Sequence, residues 1–318
     1  MAYIITGATG HIGNNLVKVL LRQQEKVVIL ARKIDRSIEQ LNVRYQIGNI
    51  FDKKFLESVI TSDDIVLHLA GVIDIKNNQK EQTMRINYEG TKTITDVCIE
   101  KKVKRYVYFS SVDAIYKGNI PTTQKIVEPI CMYPEKFQDN YSYSKALATQ
   151  YVMNQRQKHS DVPINILYPS AVIGANDFKP SSIGKVVQDI IQGKMQFGVK
   201  GGYNFVDVDD VVHATIVLCQ KEIEGDFILS GIDVSVYELY EIVNRHLGRK
   251  KKTWKIPLWL VYLCIPFVPY LSRFVLKTIN EVHNYDNTRM IEQLSTTPTA
   301  FDQTIEKTIQ FFQEDQKG

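Results

Sequence analysis

The sequence predicts an α/β protein with a doubly wound parallel sheet and a smaller C-terminal part. The first observation is a series of short apolar runs in the first half of the chain that are typical of strands, at residues 2–6, 26–30, 43–47, 65–69, 105–109 and 164–167. The second is that amphipathic stretches of helical period separate these runs, near residues 12–24, 53–60, 80–101 and 142–160. Apolar strands that alternate with helices indicate a sheet covered on both faces, and such sheets bind ligands at the carboxyl ends of their strands.

Composition and charge limit the classes of function. With 318 residues, of which 44% are hydrophobic, the chain has enough apolar sequence for a large core. This excludes a disordered chain and a scaffold held together by disulfides. The formal net charge is only +4, which argues against nucleic acid as a partner, because surfaces that bind nucleic acid are usually strongly basic.

The cysteines and the first residues indicate a reduced compartment. Cys98, Cys131, Cys219 and Cys264 are widely spaced and form no CxxC pair, so we expect neither a disulfide framework nor a metal site. The first ten residues have no basic region followed by a long apolar run, and so are unlike a signal peptide. We expect a cytoplasmic protein.

A glycine-rich loop follows the first predicted strand. The segment TGATGHIG places three glycines between that strand and the first predicted helix. Glycine permits a tight turn and a close approach of the backbone to a pyrophosphate, and the helix N-terminus offers free N–H groups. Three glycines alone are also consistent with a simple turn, but strand, loop and helix together favour a dinucleotide site. The predicted cofactor contacts in this loop are Gly7, Thr9, Gly10, His11, Ile12 and Gly13.

The residues after the second predicted strand bear on the choice of coenzyme. An NAD site usually has a carboxylate about 20 residues beyond the glycine loop, where it binds the ribose 2′-hydroxyl. This chain has Arg32 and Lys33 there, and these cations suit a 2′-phosphate. Arg32 is therefore a predicted cofactor contact, and NADP(H) is favoured over NAD(H). The alternative is a solvated basic loop in which Asp35 turns back to bind NAD.

Tyr141 and Lys145 are the candidate acid–base pair. They lie four residues apart in a predicted helix, so both side chains share one helix face. A phenol titrates near ~10 in water, and we expect the lysine ammonium, aided by the positive charge of the oxidised nicotinamide, to favour the phenolate and to lower the pKa of Tyr141. The same spacing recurs at Tyr88 and Lys92, which we interpret as part of a scaffold helix.

With these motifs together, the chain resembles the extended short-chain dehydrogenase/reductases, which include the NAD(P)-dependent epimerases and dehydratases. The GxxGxxG spacing of the glycine loop carries the resemblance, together with segments at residues 64–71, 87–91, 205–210 and 286–298. Ser111 lies five residues before Tyr116. In that layout the chain is most similar to the dihydroflavonol/cinnamoyl-CoA reductase-like and 3β-hydroxysteroid dehydrogenase-like branches.

The resemblance implies a division of the chain and further site residues. It implies a Rossmann domain at residues 1–170 and about 203–230, with a substrate-binding part at residues 171–202 and 231–318. It also implies that Ser111 steadies the substrate oxygen and that the protein forms a homodimer. The cofactor contacts that follow from it are Asn49, Ile50, Ala70, Gly71, Tyr141, Lys145 and Pro169.

These features predict an NAD(P)H-dependent oxidoreductase that interconverts a carbonyl and a secondary alcohol on a small, fairly hydrophobic substrate. Tyr168 replaces the Arg that is usual in the family, and no Arg lies near residues 203–205. Both features disfavour a nucleotide-sugar diphosphate. One alternative is a nucleotide-sugar epimerase or dehydratase with a tightly bound coenzyme. Another is a non-catalytic NADP-binding regulator, although a regulator needs no tyrosine–lysine pair.

An apolar segment at residues 256–271 follows a basic cluster at residues 249–252 and Lys255. Its sixteen residues are interrupted by three prolines, so the segment is too short and too broken to span a bilayer. We expect it to form a lid or wall over an apolar substrate pocket. The alternative is a peripheral membrane contact, with the apolar side in the interface and the lysines on anionic headgroups.

Overall fold

The computed structural model describes residues 1–118, 120–121, 123–195, 197–249, 254–264, 272–281 and 283–315. Its strands are β1 (Tyr3–Thr6), β2 (Val27–Ala31), β3 (Arg44–Ile47), β4 (Ile65–His68), β5 (Arg105–Phe109), β6 (Ile164–Pro169), β7 (Ala171–Ile173), β8 (Phe197–Gly198), β9 (Gly202–Asp207), β10 (Phe227–Leu229), β11 (Ile232–Ser235) and β12 (Trp254–Lys255).

The helices alternate with these strands over most of the described chain. They are α1 (His11–Arg22), α2 (Lys53–Val59), α3 (Lys80–Met84), α4 (Thr91–Glu100), α5 (Asn140–Lys158), α6 (Ser182–Ile191), α7 (Val208–Gln220), α8 (Val236–His246), α9 (Leu258–Cys264), α10 (Arg273–Thr278), α11 (Thr288–Gln293) and α12 (Phe301–Asp315). A π-helical segment at Arg85–Gly90 joins α3 to α4, and short 3₁₀ turns lie at Val112–Ala114 and Pro134–Lys136.

The main sheet is parallel and follows the order β10-β6-β5-β4-β1-β2-β3. From β1 the strand order runs outward to β2 and β3 on one side and to β4, β5 and β6 on the other. This reversal beside β1 is the place where a doubly wound sheet opens a crevice for a ligand. The predicted fold class is confirmed.

Alternate residues of the central strand supply the two hydrophobic layers that bury this sheet. Ile4 packs in a cluster with Val97 of α4 and Val152 of α5. Its neighbour Ile5 packs on the opposite face with Leu16 of α1. Successive side chains of a strand point to opposite faces, so a strand that is apolar at every position is stable only when helices cover both sides.

The predicted helix at residues 80–101 contains an irregularity with a structural role. Within its π-helical segment, the Asn87 side chain accepts a hydrogen bond from Val72 N over 2.8 Å and donates one to Val72 O over 2.9 Å. Its amide also donates to the Ser144 hydroxyl over 2.9 Å. One extra residue in the helical turn often serves a functional site. Here it lets one buried amide fix the loop after β4 to helix α5.

A smaller layer packs against one end of the main sheet. Its three-stranded sheet has the order β11-β9-β7 and is packed by α6, α8 and α12. The segment at 203–230, which the sequence assigned to the Rossmann domain, is divided between the two parts. Strand β9 lies in the small sheet, whereas α7 and β10 belong to the main layer. The buried Asp207 carboxylate at this junction accepts a 2.6 Å hydrogen bond from Thr304 of α12.

The apolar segment at 256–271 is described only in its first part. Residues 258–264 form α9, and residues 265–271 lie outside the described residues, as do residues 250–252 of the basic cluster. Within the ranges that the structure covers, none of the helices combines the length and the apolar character that a membrane span requires.

Candidate functional site

A cleft of about 470 Å³ lies at the carboxyl ends of β1, β4, β5 and β6, facing the small layer. Its position agrees with the crevice that the strand order predicts. The structure brings ten of the predicted site residues together along this cleft: Gly7, Gly10, His11, Ile12, Gly13, Gly71, Ser111, Tyr141, Lys145 and Pro169.

The other five predicted cofactor contacts lie outside the cleft lining. Arg32 is exposed directly after β2. Asn49 is exposed, and its side chain accepts a hydrogen bond from Phe51 N over 3.2 Å. Ile50 packs closely against Gly90. Ala70 N donates to the Thr6 hydroxyl over 3.2 Å, and Thr9 is part of the glycine loop itself.

The glycine loop has the backbone geometry that its sequence predicts. Gly7 has a φ of +76°, and a Cβ there would lie 2.7 Å from Ala70 N. A Cβ on Gly13 would lie 2.4 Å from Gly7 O. Both positions therefore require glycine. Because Gly10, which caps α1, has no side chain to bond the first-turn N–H groups, this helix end fits the pyrophosphate of a dinucleotide.

Helix α5 carries both members of the acid–base pair. The Asp139 carboxylate caps the helix by accepting a 2.7 Å hydrogen bond from Ser142 N. The cap places Tyr141 in the first turn and Lys145 one turn later, and both side chains are buried, at 7% and 5% exposure. Residues four apart share a helix face, so both reach the cleft.

Lys145 is held by the main chain at the end of β5. Its Nζ donates to the carbonyl oxygen of Phe109 over 2.7 Å and lies 5.1 Å from the centre of the Tyr108 ring. Burial lowers the pKa of this ammonium from its ordinary value to about 7. Near neutral pH the lysine is therefore divided between its charged and neutral forms.

The groups of the protein itself raise the pKa of Tyr141, whereas we expected the Lys145 ammonium together with an oxidised nicotinamide to lower it. Burial raises the pKa of the Tyr141 phenol, and the neighbouring Asp113 carboxyl raises it further, while a hydrogen bond with Ser111 acts in the other direction. The Lys145 ammonium is directed at the Phe109 carbonyl and is itself partly neutral near pH 7. The phenol is therefore kept protonated at neutral pH, which suits a proton donor.

The two serines at the end of β5 have different roles in the structure. Ser110 shares a 2.6 Å hydrogen bond with Thr149 in the interior, so it joins β5 to α5. The Ser111 hydroxyl lines the cleft, accepts from Asp113 N over 3.1 Å and donates to Asp113 Oδ2 over 3.3 Å. Burial raises the pKa of the Asp113 carboxyl, although the positive charge of Lys117 acts in the opposite direction.

A polar cluster at the far side of the cleft was not found by the sequence analysis. Tyr203, His283 and Tyr285 line the cleft there. Behind them Lys117 Nζ pairs with Glu281 Oε2 over 2.8 Å. Burial lowers the pKa of His283, and the Lys117 charge adds to this. The members come from segments more than 75 residues apart in the chain, so no local motif signals them.

The remaining candidates have structural roles. The second YxxxK pair is scaffold, because Lys92 pairs with Asp96 over 3.0 Å on the helix surface. His68 lies buried between the hydroxyls of Thr6 and Thr91, and burial lowers its pKa to about 3.

The described part of the predicted lid, residues 256–264, does not line the cleft. Helix α10, which comes next in the chain, does so through Phe274, Val275 and Thr278.

The family of the chain follows from comparison with known proteins. Residues 3–229 match the NAD dependent epimerase/dehydratase family. The chain belongs to this family, and the resemblance that its motifs carry is confirmed. It is an NAD(P)-dependent oxidoreductase of the extended short-chain dehydrogenase/reductase type.

Two curated relatives match almost the whole chain. "Sterol demethylase protein B" of Methylococcus capsulatus is 25% identical over 99% of this chain and 99% of its own length. A "Putative dihydroflavonol 4-reductase" of Synechocystis sp. is 26% identical over 98% of this chain and 94% of its own. The second agrees with the branch that the position of Ser111 indicates.

Solved structures reproduce the fold over its full length. The crystal structure of gox2253 superposes with a TM-score of 0.84 at 24% identity, over 98% of each chain. MoeE5, solved in complex with UDP-glucose and NAD, superposes with a TM-score of 0.79 at 18% identity, over 99% of this chain and 100% of its own. At these identities the likeness establishes the fold.

Replacing the buried lysine by a neutral side chain tests the cause of its shifted pKa. The folded-state pKa of Lys145 is about 7 against 10.5 ordinarily, so its contribution to stability is present at high pH and is lost as the pH falls from 10.5 to 7. We expect Lys145→Met to gain about 2–3 kcal/mol more in unfolding free energy at pH ~6 than at pH ~9. Urea unfolding at both pH values measures this.

The matched control is Lys158→Met, which changes an exposed lysine at the end of the same helix. It should show no such dependence on pH. If Lys145→Met changed stability equally at both pH values, the ammonium would not be destabilised by burial.

Proposed function

We propose that this protein is an NADP(H)-dependent oxidoreductase that interconverts a carbonyl and a secondary alcohol on a hydrophobic, sterol-like substrate. The observation that carries the proposal is the buried phenol of Tyr141 beside Lys145 and Ser111, at the base of a cleft with largely apolar walls. The match to "Sterol demethylase protein B" over 99% of both chains supports the substrate class.

The walls of the cleft support a hydrophobic substrate. Apolar side chains line it on several sides: Val72, Ile73, Ile75, Val112, Ile183, Phe274 and Val275. None of the described residues along the cleft is an arginine, whereas a nucleotide-sugar diphosphate is usually bound by a guanidinium. The lining Lys179 is paired with Asp35 Oδ2 over 2.5 Å. Tyr203 and Asn204 supply polar groups for one end of the substrate.

Different residues of the cleft have different roles in the proposed reaction. The glycine loop and the first turn of α1 would hold the coenzyme diphosphate, and Lys145 its nicotinamide ribose. When bound, the coenzyme supplies or accepts the hydride. In the reduction, Tyr141 Oη donates its proton to the carbonyl oxygen, and the Ser111 hydroxyl donates a hydrogen bond to the same oxygen. The Asp113 main-chain N–H positions Ser111 Oγ by donating to it over 3.1 Å, and the hydroxyl hydrogen, which points to Asp113 Oδ2 in the structure, would turn to the carbonyl oxygen. Burial favours this direction, since it keeps the phenol protonated.

The surroundings of β2 support NADP(H). Arg32 and Lys33 are exposed directly after this strand and are suited to a 2′-phosphate. The Asp35 carboxylate accepts hydrogen bonds from Lys179 Nζ over 2.5 Å and from Ser37 N over 3.1 Å. The Asp35 carboxylate, which an NAD site would use to bind the ribose 2′-hydroxyl, is therefore already bonded to other groups of the protein.

An NADPH oxidation assay with two substrate classes tests the reaction. We expect the purified protein to oxidise NADPH with a 3-ketosteroid and to be inactive with UDP-glucose. Tyr141→Phe should lower turnover by about 10²–10⁴-fold, because it removes the proton donor, while NADPH affinity is kept. Tyr143→Phe, on the same helix two residues away, is the matched control and should retain turnover.

Two results would contradict the proposal. One is interconversion of UDP-sugars with no net consumption of NADPH, which is the behaviour of a nucleotide-sugar epimerase. The other is undiminished ketosteroid reduction by Tyr141→Phe, which would remove this phenol from the mechanism.

Coenzyme choice is tested at Arg32. Loss of its charge-assisted hydrogen bonds to a 2′-phosphate costs about 1.5–3 kcal/mol. We therefore expect Arg32→Ala to weaken NADPH binding by roughly 10- to 100-fold and to leave NADH binding unchanged. Isothermal titration with both coenzymes measures this, with the exposed Lys54→Ala as a control. An equal loss for both coenzymes, or tighter binding of NADH by the unaltered protein, would overturn the NADP(H) assignment.

A further inference from the structure

The positive charge of this chain is concentrated in one segment. Residues 242–280 contain eight Lys and Arg residues and no Asp or Glu. The rest of the chain has 31 basic against 35 acidic residues and is therefore net negative. These 39 residues thus carry no carboxylate of their own, although Arg245 is paired with Asp302 and Lys277 with Glu281 from outside the run. Three of the eight cations, Lys250 to Lys252, lie outside the described residues.

The same segment exposes large apolar side chains. Trp254 is 72% exposed, and Trp259 and Leu263 are each 65% exposed. Leu260 and Tyr262 are also exposed, while Val261 of α9 is buried. Among the described side chains of α9, the large apolar groups on either side of Val261 therefore face outward rather than toward a core. We call Trp254–Leu263 the docking surface.

The docking surface is joined to the wall of the cleft. Val261 of α9 packs in a small cluster with Leu276 and Ile279. Helix α10, which carries Leu276, also presents Phe274 to the cleft. The Phe274 ring packs edge-on against Tyr141, with 6.3 Å between the ring centres. One helix therefore separates the exposed surface from the reacting phenol.

We propose that the docking surface binds the surface of an anionic lipid bilayer, with the side chains of α9 in the interface. Exposed tryptophans beside lysines are the combination that binds the headgroup region, because the rings enter the interface while the cations attract anionic lipid. Lys255 lies within the docking surface, and Arg273, which is exposed, begins α10.

Charge argues against a second copy of the chain as the occupant. A two-fold dimer brings the same surface of both subunits together, and here it would bring Lys255 and Arg273 of one copy near the same cations of the other. A bilayer with anionic lipids satisfies both the charge and the apolar side chains. Only the reason for docking, delivery of an apolar substrate from lipid to the cleft, rests on the proposed function.

Tryptophan fluorescence reports on this surface alone, because Trp254 and Trp259 are the two tryptophans of the chain. The test uses vesicles of phosphatidylcholine with or without one third phosphatidylglycerol, and measures emission and co-sedimentation. We expect a blue shift and sedimentation with the anionic vesicles, both reversed by high salt. Binding that is equal for neutral vesicles, or absent for both, would overturn the proposal.

Paired variants separate the apolar and the charged contributions. Trp259→Asp/Leu263→Asp and Lys255→Glu/Arg273→Glu should each weaken sedimentation at least about tenfold. The control for the first is Ile130→Asp, at a side chain that is 91% exposed elsewhere. The control for the second is Lys54→Glu/Lys158→Glu, with the same change of charge at exposed positions. Equal losses for variants and controls would contradict docking through this surface.

Two further measurements distinguish docking from the proposed function and from self-association. Reduction of a water-soluble ketone without vesicles should be unchanged in Trp259→Asp/Leu263→Asp, so a loss of docking is separable from a loss of chemistry. Light scattering without lipid should give the same mass for this variant and the unaltered protein. A dimer that the variant dissociates would show that a second copy occupies the surface, and would overturn the proposal.

Discussion

The site depends on a cationic side chain held in the interior, the Lys145 ammonium bonded to the Phe109 carbonyl at the end of β5. Burying an ammonium is energetically unfavourable, and for this reason the pKa of Lys145 is lowered to about 7. The bond fixes the face of α5 that also carries Tyr141. Burial also raises the pKa of the Tyr141 phenol and keeps it protonated, as the proposed donation of a proton to a carbonyl requires.

Much of the fold and part of the site could be predicted because the signals are local. The doubly wound sheet follows from apolar strands alternating with helices, and each of the six predicted strands is present with ends that differ by at most two residues. Glycine is required at Gly7 by a φ of +76° and at Gly13 by the backbone of Gly7 and Ala8 in the same loop. Tyr141 and Lys145 share a face by helix geometry alone.

The remaining features of the fold and the site depend on contacts between segments that are far apart in the chain. No local sequence pattern predicts such contacts. His283 and Tyr203 meet at the cleft only through the packing of the small layer. The pKa of Tyr141 rises mainly through burial, with Asp113 adding to the shift, and burial is a property of the completed fold. The segment at 203–230 is divided because β9 pairs with β7 and β11, and Asp207 at its end is also bonded to α12, nearly 100 residues further along the chain.

Transfer of deuterium tests most directly whether this phenol–lysine pair serves net reduction. A 3-ketosteroid is incubated with the protein and NADPH that carries deuterium at the reactive C4 position, and the product is examined by mass spectrometry. We expect an alcohol with one deuterium on the carbinol carbon and an equal amount of NADP⁺ released. Unlabelled product, or label that stays with the coenzyme while the substrate is only isomerised, would contradict it.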